Sequence, residues 1–289
     1  MGMVHTVGLV LHPRRDSKPA IDAVIDWARS RDATVLGLPD EVGRIDCSAV
    51  PVTPDELVSR ASLVVSLGGD GTMLRSMRLL SGKPTPVLGV NLGRLGFLAE
   101  VSVEELPEAL SAIDAHKFTV EPRMAVRTTL PDGTDVTAFN DIALVRTPGH
   151  GLAAVAISMQ GYPFVRYAAD ALIVATSTGS TAYSFSAGGP IVSPTVEGIL
   201  VVPAAAHSAF NRALVLSPSE DLDLELLPTS GRLAVEVDGE LLGELNPGDT
   251  LTVCAAPAAA KVVRLGYTTF YERARRKLQV NGSLEVELP

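Results

Sequence analysis

The chain has 289 residues, room for two domains of ~100–200 residues each, and its 46% hydrophobic and 20% charged residues place it among ordered globular proteins. A net charge of -9 excludes a global positive field for holding DNA, RNA or an anionic membrane surface, so any phosphate-bearing ligand has to be held locally, by backbone amides, helix N-termini, placed cations or a metal ion. Cys47 and Cys254 lie too far apart in sequence to suggest a disulfide framework or a zinc site, which fits a reducing cytoplasm.

Residues 1–11 lack a basic start and a long apolar stretch, and Pro13-Arg14-Arg15-Asp16 breaks the run early, so the segment reads as a first strand. No apolar run approaches the ~18 residues of a membrane span, and a soluble cytoplasmic protein is expected. Ile21, Val24, Ile25 and Ala28 recur at helical spacing within residues 18–29; residues 34–38 read as a strand. Thr53-Pro54-Asp55-Glu56 supplies a cap, a first-turn proline and acidic residues for a short helix. Residues 62–67 form a buried strand that ends in Gly68-Gly69-Asp70-Gly71-Thr72 before a helical stretch at 73–80. Residues 86–91 repeat the pattern and lead into Gly93-Arg94-Leu95-Gly96-Phe97-Leu98.

After His116 the texture changes to short alternating runs, with turns at Asp132-Gly133, Asp238-Gly239 and Pro247-Gly248-Asp249. The fold class is therefore an α/β N-terminal domain with a mainly parallel sheet, plus a β-rich, sandwich-like C-terminal domain. The boundaries read as 1–118 for a phosphate-donor domain, rejoined by 270–289, and 119–269 for the β-rich domain. Residues 255–260, rich in alanine, read as a loop. Arg273, Arg275, Arg276 and Lys277 read as the solvated side of a short terminal helix.

Glycines at 68, 69 and 71 let the backbone turn sharply and approach an anion, with helix-start amides pointing at it. Asp70 fits simple phosphate cradling poorly, because a carboxylate repels phosphates unless it binds a metal ion or accepts a proton from a nucleophile. The other reading of Asp70 is a cap for the helix starting near Met73. Residues 178–186 offer hydroxyls, free backbone groups in a turn and the flat face of Tyr183, the ingredients of adenine recognition or, equally, of a plain hydroxyl-rich turn.

Gly-Gly-Asp-Gly-Thr after a buried strand resembles the superfamily of NAD kinases, diacylglycerol and sphingosine kinases and, more remotely, phosphofructokinases. Residues 170–191, with Thr178-Gly179-Ser180-Thr181-Ala182-Tyr183 at their centre, resemble the NAD kinase signature; Asn91 to Leu98 and Asn140-Asp141 look like further family landmarks in the same order. The resemblance implies ATP with Mg²⁺ or another divalent metal as donor, NAD as acceptor and a homodimer or homotetramer, with the site in a cleft between domains. It implies that Asp70 stands beside the ribose 2′-hydroxyl as the catalytic base, with Gly68, Gly69 and Gly71 near the phosphates and Arg75 and Phe97 on the ligand side. Asn140 and Asp141 would bond the adenosine ribose; Thr178, Thr181, Ala182, Tyr183, Ser186 and Glu240 would line the NAD site; Asp170 would reach the nicotinamide end. Three positions depart from the usual pattern: Asp141 for Glu, Ala171 for Gly and Glu240 for Gln. Ala168 stands where some relatives carry a basic side chain, which would relax the choice between NAD and NADH. Two other readings stay open: a lipid kinase of the same superfamily and a nucleotide sensor without turnover.

Overall fold

A computed structural model describes residues 4–45, 47–93 and 96–280, and the chain divides into two units, the first running to Glu121 and resuming at Ala260, the second spanning Pro122–Ala259. The first contains β1 (Thr6–Leu11), α1 (Lys18–Arg29), β2 (Thr34–Gly37), α2 (Pro39–Val42), β3 (Val50–Pro51), α3 (Pro54–Arg60), β4 (Leu63–Gly68), α4 (Asp70–Leu79), β5 (Pro86–Asn91), β6 (Val101–Ser102) and α5 (Leu106–Asp114). Its strands pair in parallel in the order β5-β4-β1-β2-β3, in register Val7 with Leu63 and Val64 with Val87.

Both faces of this sheet are covered, as the continuous apolar runs require. Val7, Leu9, Leu11, Leu63, Val65 and Leu67 point to one side, where Ile21, Val24 and Ala28 of α1 and Leu106, Ala109 and Ile113 of α5 close a single core. On the other side two glycines make room for helices. A Cβ on Gly8 would stand 2.9 Å from Leu57 of α3, and one on Gly89 would stand 3.1 Å from the Met73 sulfur of α4. That close approach seats α4 against β4 and β5 and brings the carboxyl ends of β1, β4 and β5 to one edge, where ligands bind in open parallel sheets.

The second unit contains β7 (Thr119–Thr129), β8 (Asp135–Ala138), β9 (Asp141–Arg146), β10 (Ala153–Met159), β11 (Tyr162–Ala169), β12 (Ala171–Thr176), a 3₁₀ turn at Thr178–Thr181, α6 (Tyr183–Ser186), β13 (Ile199–Ala204), β14 (Leu214–Leu216), β15 (Leu222–Leu226), β16 (Leu233–Val237), β17 (Glu240–Leu245) and β18 (Thr250–Arg264). One antiparallel sheet has the order β14-β13-β12-β9-β16-β17; β11, β10, β15 and β18 pair in another. Alternate residues of both, including Leu144, Leu172, Val235, Val155, Leu224 and Leu251, share one core, so the two sheets pack as a sandwich. The outer face of β12 and β13, with Ile173, Ala175, Leu200 and Val202, is covered by Ala187 and Val192, which fixes the chain that follows the 3₁₀ turn onto the sheet.

One expectation changes here. The alanine-rich stretch at 255–260 is strand, not loop: it continues β18, where methyl side chains at Ala259 and Ala260 are buried and Ala258 takes a positive φ of 48° that bends the strand. Lys261 and Val262 then pair with Pro86 and Val87 of β5. No described helix is long and apolar enough to cross a membrane.

The basic terminal helix, α7 (Phe270–Leu278), is not merely a solvated surface. A capping box between Thr269 and Glu272 starts it, and Arg273, 2% exposed, donates to Glu100 at 2.9 Å and to the Ala99 carbonyl. Glu100, itself 3% exposed, accepts from Arg264 at 2.8 Å and from the backbone N–H of Leu265 and Gly266. Removing one member of such a set leaves a buried charge uncompensated. Glu100→Ala is expected to lower unfolding stability by about 3–5 kcal/mol, whereas Glu121→Ala, which removes the more exposed partner of Arg264, is expected to cost under about 1 kcal/mol. Urea unfolding compares them; equal losses would contradict the assignment.

Candidate active site

The turn between β4 and α4 places the first carboxylate. Gly69 is the extended N-cap residue and Asp70 the first residue of the helix, but the Asp70 side chain makes no capping bond. Instead, Oδ2 accepts the N–H of Phe97 at 2.9 Å and Oδ1 accepts the N–H of Leu98 at 3.0 Å. The capping reading of Asp70 is thereby replaced: its carboxylate faces away from its own helix and is held by a loop 27 residues further on. Gly96 is required by the same contact, since a Cβ there would collide with the carboxylate. Gly68 is packed under Thr72, while Gly69 and Gly71 face open space, leaving the first-turn amides of α4 approachable. Asn91 spends its side chain on its own turn, donating to the Gly93 carbonyl at 2.7 Å and accepting the Gly93 N–H. Arg94 and Leu95 lie outside the described residues.

Beside the glycine turn stands a group of cations that the sequence reading passed over. The loop after β1 folds around His12, whose Nδ1 accepts the backbone N–H of both Arg14 and Arg15 at 3.1 Å. Arg44 donates to the His12 carbonyl at 2.7 Å, and the Arg15 guanidinium lies against Gly93, 2.5 Å from where a Cβ would be. Burial, followed by the charges of Arg15, Arg44, Arg14 and Arg75, holds the His12 imidazole below its ordinary pKa, so it stays a neutral acceptor. Arg75 is turned inward: it pairs with Glu41 at 2.5 Å and donates to the Leu11 carbonyl at 2.6 Å, while Glu41 also accepts the Leu11 N–H. Pro13-Arg14-Arg15 carried a usable signal, namely two arginines directly after a buried strand whose end shares an edge with the glycine turn. As a break in an apolar run it looked like punctuation.

The second carboxylate group is in the second unit. Asp238, in a hairpin turn with positive φ at both Asp238 and Gly239, accepts the backbone N–H of Phe139, Asn140 and Asp141 at 3.2, 2.7 and 3.3 Å. This clamp orients the Asn140-Asp141 pair, and sequence reasoning saw Asp238 only as a turn residue. Thr176 locks the pair from the other side, its hydroxyl donating to the Phe139 carbonyl at 2.5 Å and accepting the Gly179 N–H. Gly179 has no room for a side chain because the Asn140 carbonyl occupies that space. Thr178 and Thr181 form the ends of the 3₁₀ turn and Tyr183 and Ser186 those of α6, with Ala182 between them. Asp141 is buried beneath the Tyr183 amide, and its carboxyl is pushed up to about 7 by burial and by the nearby charges of Asp238 and Glu236. Tyr183 leaves 37% of its surface open, with its phenol raised by burial and by Glu236, Asp141 and Asp170. Asp170 pairs with Arg146 at 2.7 Å, Glu240 is exposed at the start of β17, and Ala171 sits in β12 with no positive φ, so no glycine is needed there.

Models of the N-terminal and C-terminal domains of ATP-NAD kinases match residues 22–118 and 139–265. The chain belongs to the NAD kinase family. It is 39% identical to "NAD kinase 1" of Streptomyces avermitilis over 97% of this chain and 88% of that protein, and 33% identical to the NAD kinase of Desulforamulus reducens over 96% and 98%. Its fold is similar to that of a yeast NADH kinase complexed with NADH (TM-score 0.85, 26% identity, 99% of this chain and 90% of that one). It is also similar to an NAD kinase of Archaeoglobus fulgidus in complex with ATP (TM-score 0.71, 26% identity, 95% and 97%).

The raised Asp141 carboxyl gives a pH signature. The folded chain keeps this proton up to about pH 7, whereas the unfolded chain loses it near ~4, so stability from this group is full below the lower value and is lost as pH rises through the upper one. Asp141→Asn, which keeps an acceptor for the Tyr183 amide, is expected to match the parent near pH 4 and to melt at a higher temperature than the parent above pH 7. A melting difference that does not change with pH would contradict the burial of this carboxyl.

Proposed function

We propose that the chain transfers the γ-phosphoryl group of ATP to the adenosine 2′-hydroxyl of NAD, giving NADP and ADP, with Asp70 as the proton acceptor. The observation that carries this reading is the Asp70 carboxylate itself, fixed by two amides next to open helix-start amides and a cationic loop. In the step, the 2′-oxygen bonds to the γ-phosphorus, the bond to the β–γ bridging oxygen breaks, ADP leaves and the hydroxyl proton passes to Asp70. The amides near Gly69 and Gly71 orient phosphate oxygens, and Arg14, Arg15 and Arg44 draw the polyphosphate to this edge. Arg75 serves them indirectly by fixing α2 and the end of β1.

Mg²⁺ enters with ATP as part of the substrate. Among the described residues no group of three or more His, Cys, Asp or Glu side chains is placed to hold a metal ion; arriving with ATP, the ion would offset phosphate charge.

On the acceptor side, Asp170, Glu236 and Asp238 make a region that repels phosphate and suits an uncharged ribose and a cationic nicotinamide ring. Tyr183 offers its open face to a base, Thr178, Thr181, Ala182 and Ser186 line the NAD site with Glu240, and Asn140 with Asp141 bonds the ribose. Asp170 faces the nicotinamide end. The relatives with bound NADH and ATP support both ligand classes.

Asp70→Asn keeps the acceptor for the Phe97 or Leu98 amide but removes the base. With ATP, Mg²⁺ and NAD, and NADP read by an NADP-specific dehydrogenase, turnover is expected to fall ~10²–10⁴-fold with NAD binding kept. Near-normal turnover would overturn the role of Asp70.

A further inference from the structure

Asp70 has a second neighbour besides the two amides. Lys277, in the last turn of α7, holds its Nζ 3.7 Å from Asp70 Oδ2 and 5.0 Å from the centre of the Phe97 ring. The same Phe97 donates its N–H to that oxygen, and its ring meets Phe270 at the start of α7 with centroids 6.2 Å apart. Lys277 lies four residues after Arg273, hence on the same face of the helix, and Arg273 is bound to the carbonyls of Phe97 and Ala99 and to Glu100. The buried arginine therefore bolts α7 to the segment that supplies the Asp70 amides, and one turn later the helix delivers an ammonium group over the carboxylate. The pair is open on its outer side, with 35% of the Lys277 side chain and 31% of the Asp70 side chain exposed. At 3.7 Å the ammonium makes no short hydrogen bond to Asp70, so its N–H donors are available to a third group.

We infer that Lys277 compensates charge in the phosphoryl-transfer step: it stands between Asp70 and the incoming γ-phosphate, two anions that otherwise repel, and donates to phosphate oxygens as the phosphoryl group transfers. This rests on the reading of Asp70 as proton acceptor. An anionic carboxylate aimed at a triphosphate weakens donor binding unless a cation is shared between them. Arg14, Arg15 and Arg44 sit on the β1 side of the glycine turn and pair with nothing on Asp70, whereas Lys277 is in contact with it. The ring of Phe97 fixes the ammonium by cation–π attraction without consuming its donors.

The test compares Lys277→Met, Lys277→Arg, Arg276→Met and Asp70→Asn in the full chain, with kcat, KM for Mg·ATP, KM for NAD and melting temperature read for each. Lys277→Met is expected to lower kcat/KM for Mg·ATP about 10- to 100-fold, the loss of one charge-assisted contact, while KM for NAD and melting temperature stay near those of the parent. Lys277→Arg is expected to recover most of that loss, and Arg276→Met, on the exposed side of α7, to match the parent. Parent-like kinetics in Lys277→Met beside an inactive Asp70→Asn would overturn the inference and leave the Asp70 reading standing. A loss in Lys277→Met that the arginine does not relieve, with a lowered melting temperature, would overturn it as well, by making Lys277 structural. Turnover retained in Asp70→Asn would instead remove the reading on which it rests.

Discussion

Two backbone amides fix the position of the Asp70 carboxylate. A carboxylate at the first position of a helix ordinarily serves its own N-terminus, yet Asp70 accepts from Phe97 and Leu98. For that to happen, β4 and β5 have to be neighbours in parallel register, α4 has to lie close against them, and position 96 has to lack a side chain. Gly89, buried under Met73, and Gly96, under the carboxylate itself, are thus parts of one arrangement. The buried set of Arg264, Glu100 and Arg273 holds the same segment from behind. In the proposed role of Asp70, a base whose position is fixed before substrate arrives avoids reorganisation during the step, which is where preorganised polar groups gain their effect.

The two units have opposite electrostatic character at their candidate residues. In the first, His12 is kept neutral so that its ring nitrogen can organise a loop bearing Arg14 and Arg15, with Arg44 beside it. In the second, Asp238 collects three consecutive amides and sets Asn140 and Asp141 in place, where burial and then the neighbouring Asp238 and Glu236 raise the Asp141 carboxyl. Cations suit a polyphosphate donor, and carboxylates suit a nucleoside acceptor that ends in a positively charged ring. Neither pattern is visible in the net charge, because the arginines are few and the excess of acid is spread over the whole chain.

Much of this was legible in the amino-acid order. The parallel sheet, the sandwich, the glycine turn and residues 178–186 announce themselves because each rests on local pattern: apolar runs ending in glycine, alternation and tight turns. Thr53 with Glu56 forms the capping box that its spacing indicates. The elements that escaped depend on partners distant in sequence. Arg273 looks like one of four surface cations until Glu100, 173 residues earlier, is seen to bury it. Asp238 looks like a turn residue until the amides of residues 139–141 reach it. The alanines at 255–260 have low strand preference and become strand within β18, whose ends pair with β15 and β5 and whose Ala256, Ala259 and Ala260 are buried. His12, Arg14 and Arg15 carried a signal of position, the end of a parallel strand, that composition alone does not weigh.

The central claim is that a fixed Asp70 directs the γ-phosphate of ATP onto the ribose 2′-oxygen of NAD. Its most direct test is phosphorus NMR of the products formed by the purified chain from ATP, Mg²⁺ and NAD. The account predicts equal amounts of ADP and of a phosphomonoester whose coupling places it on the adenosine 2′-carbon, with the NAD pyrophosphate intact. ADP with inorganic phosphate and unchanged NAD, or a new ester at any other hydroxyl, would contradict it.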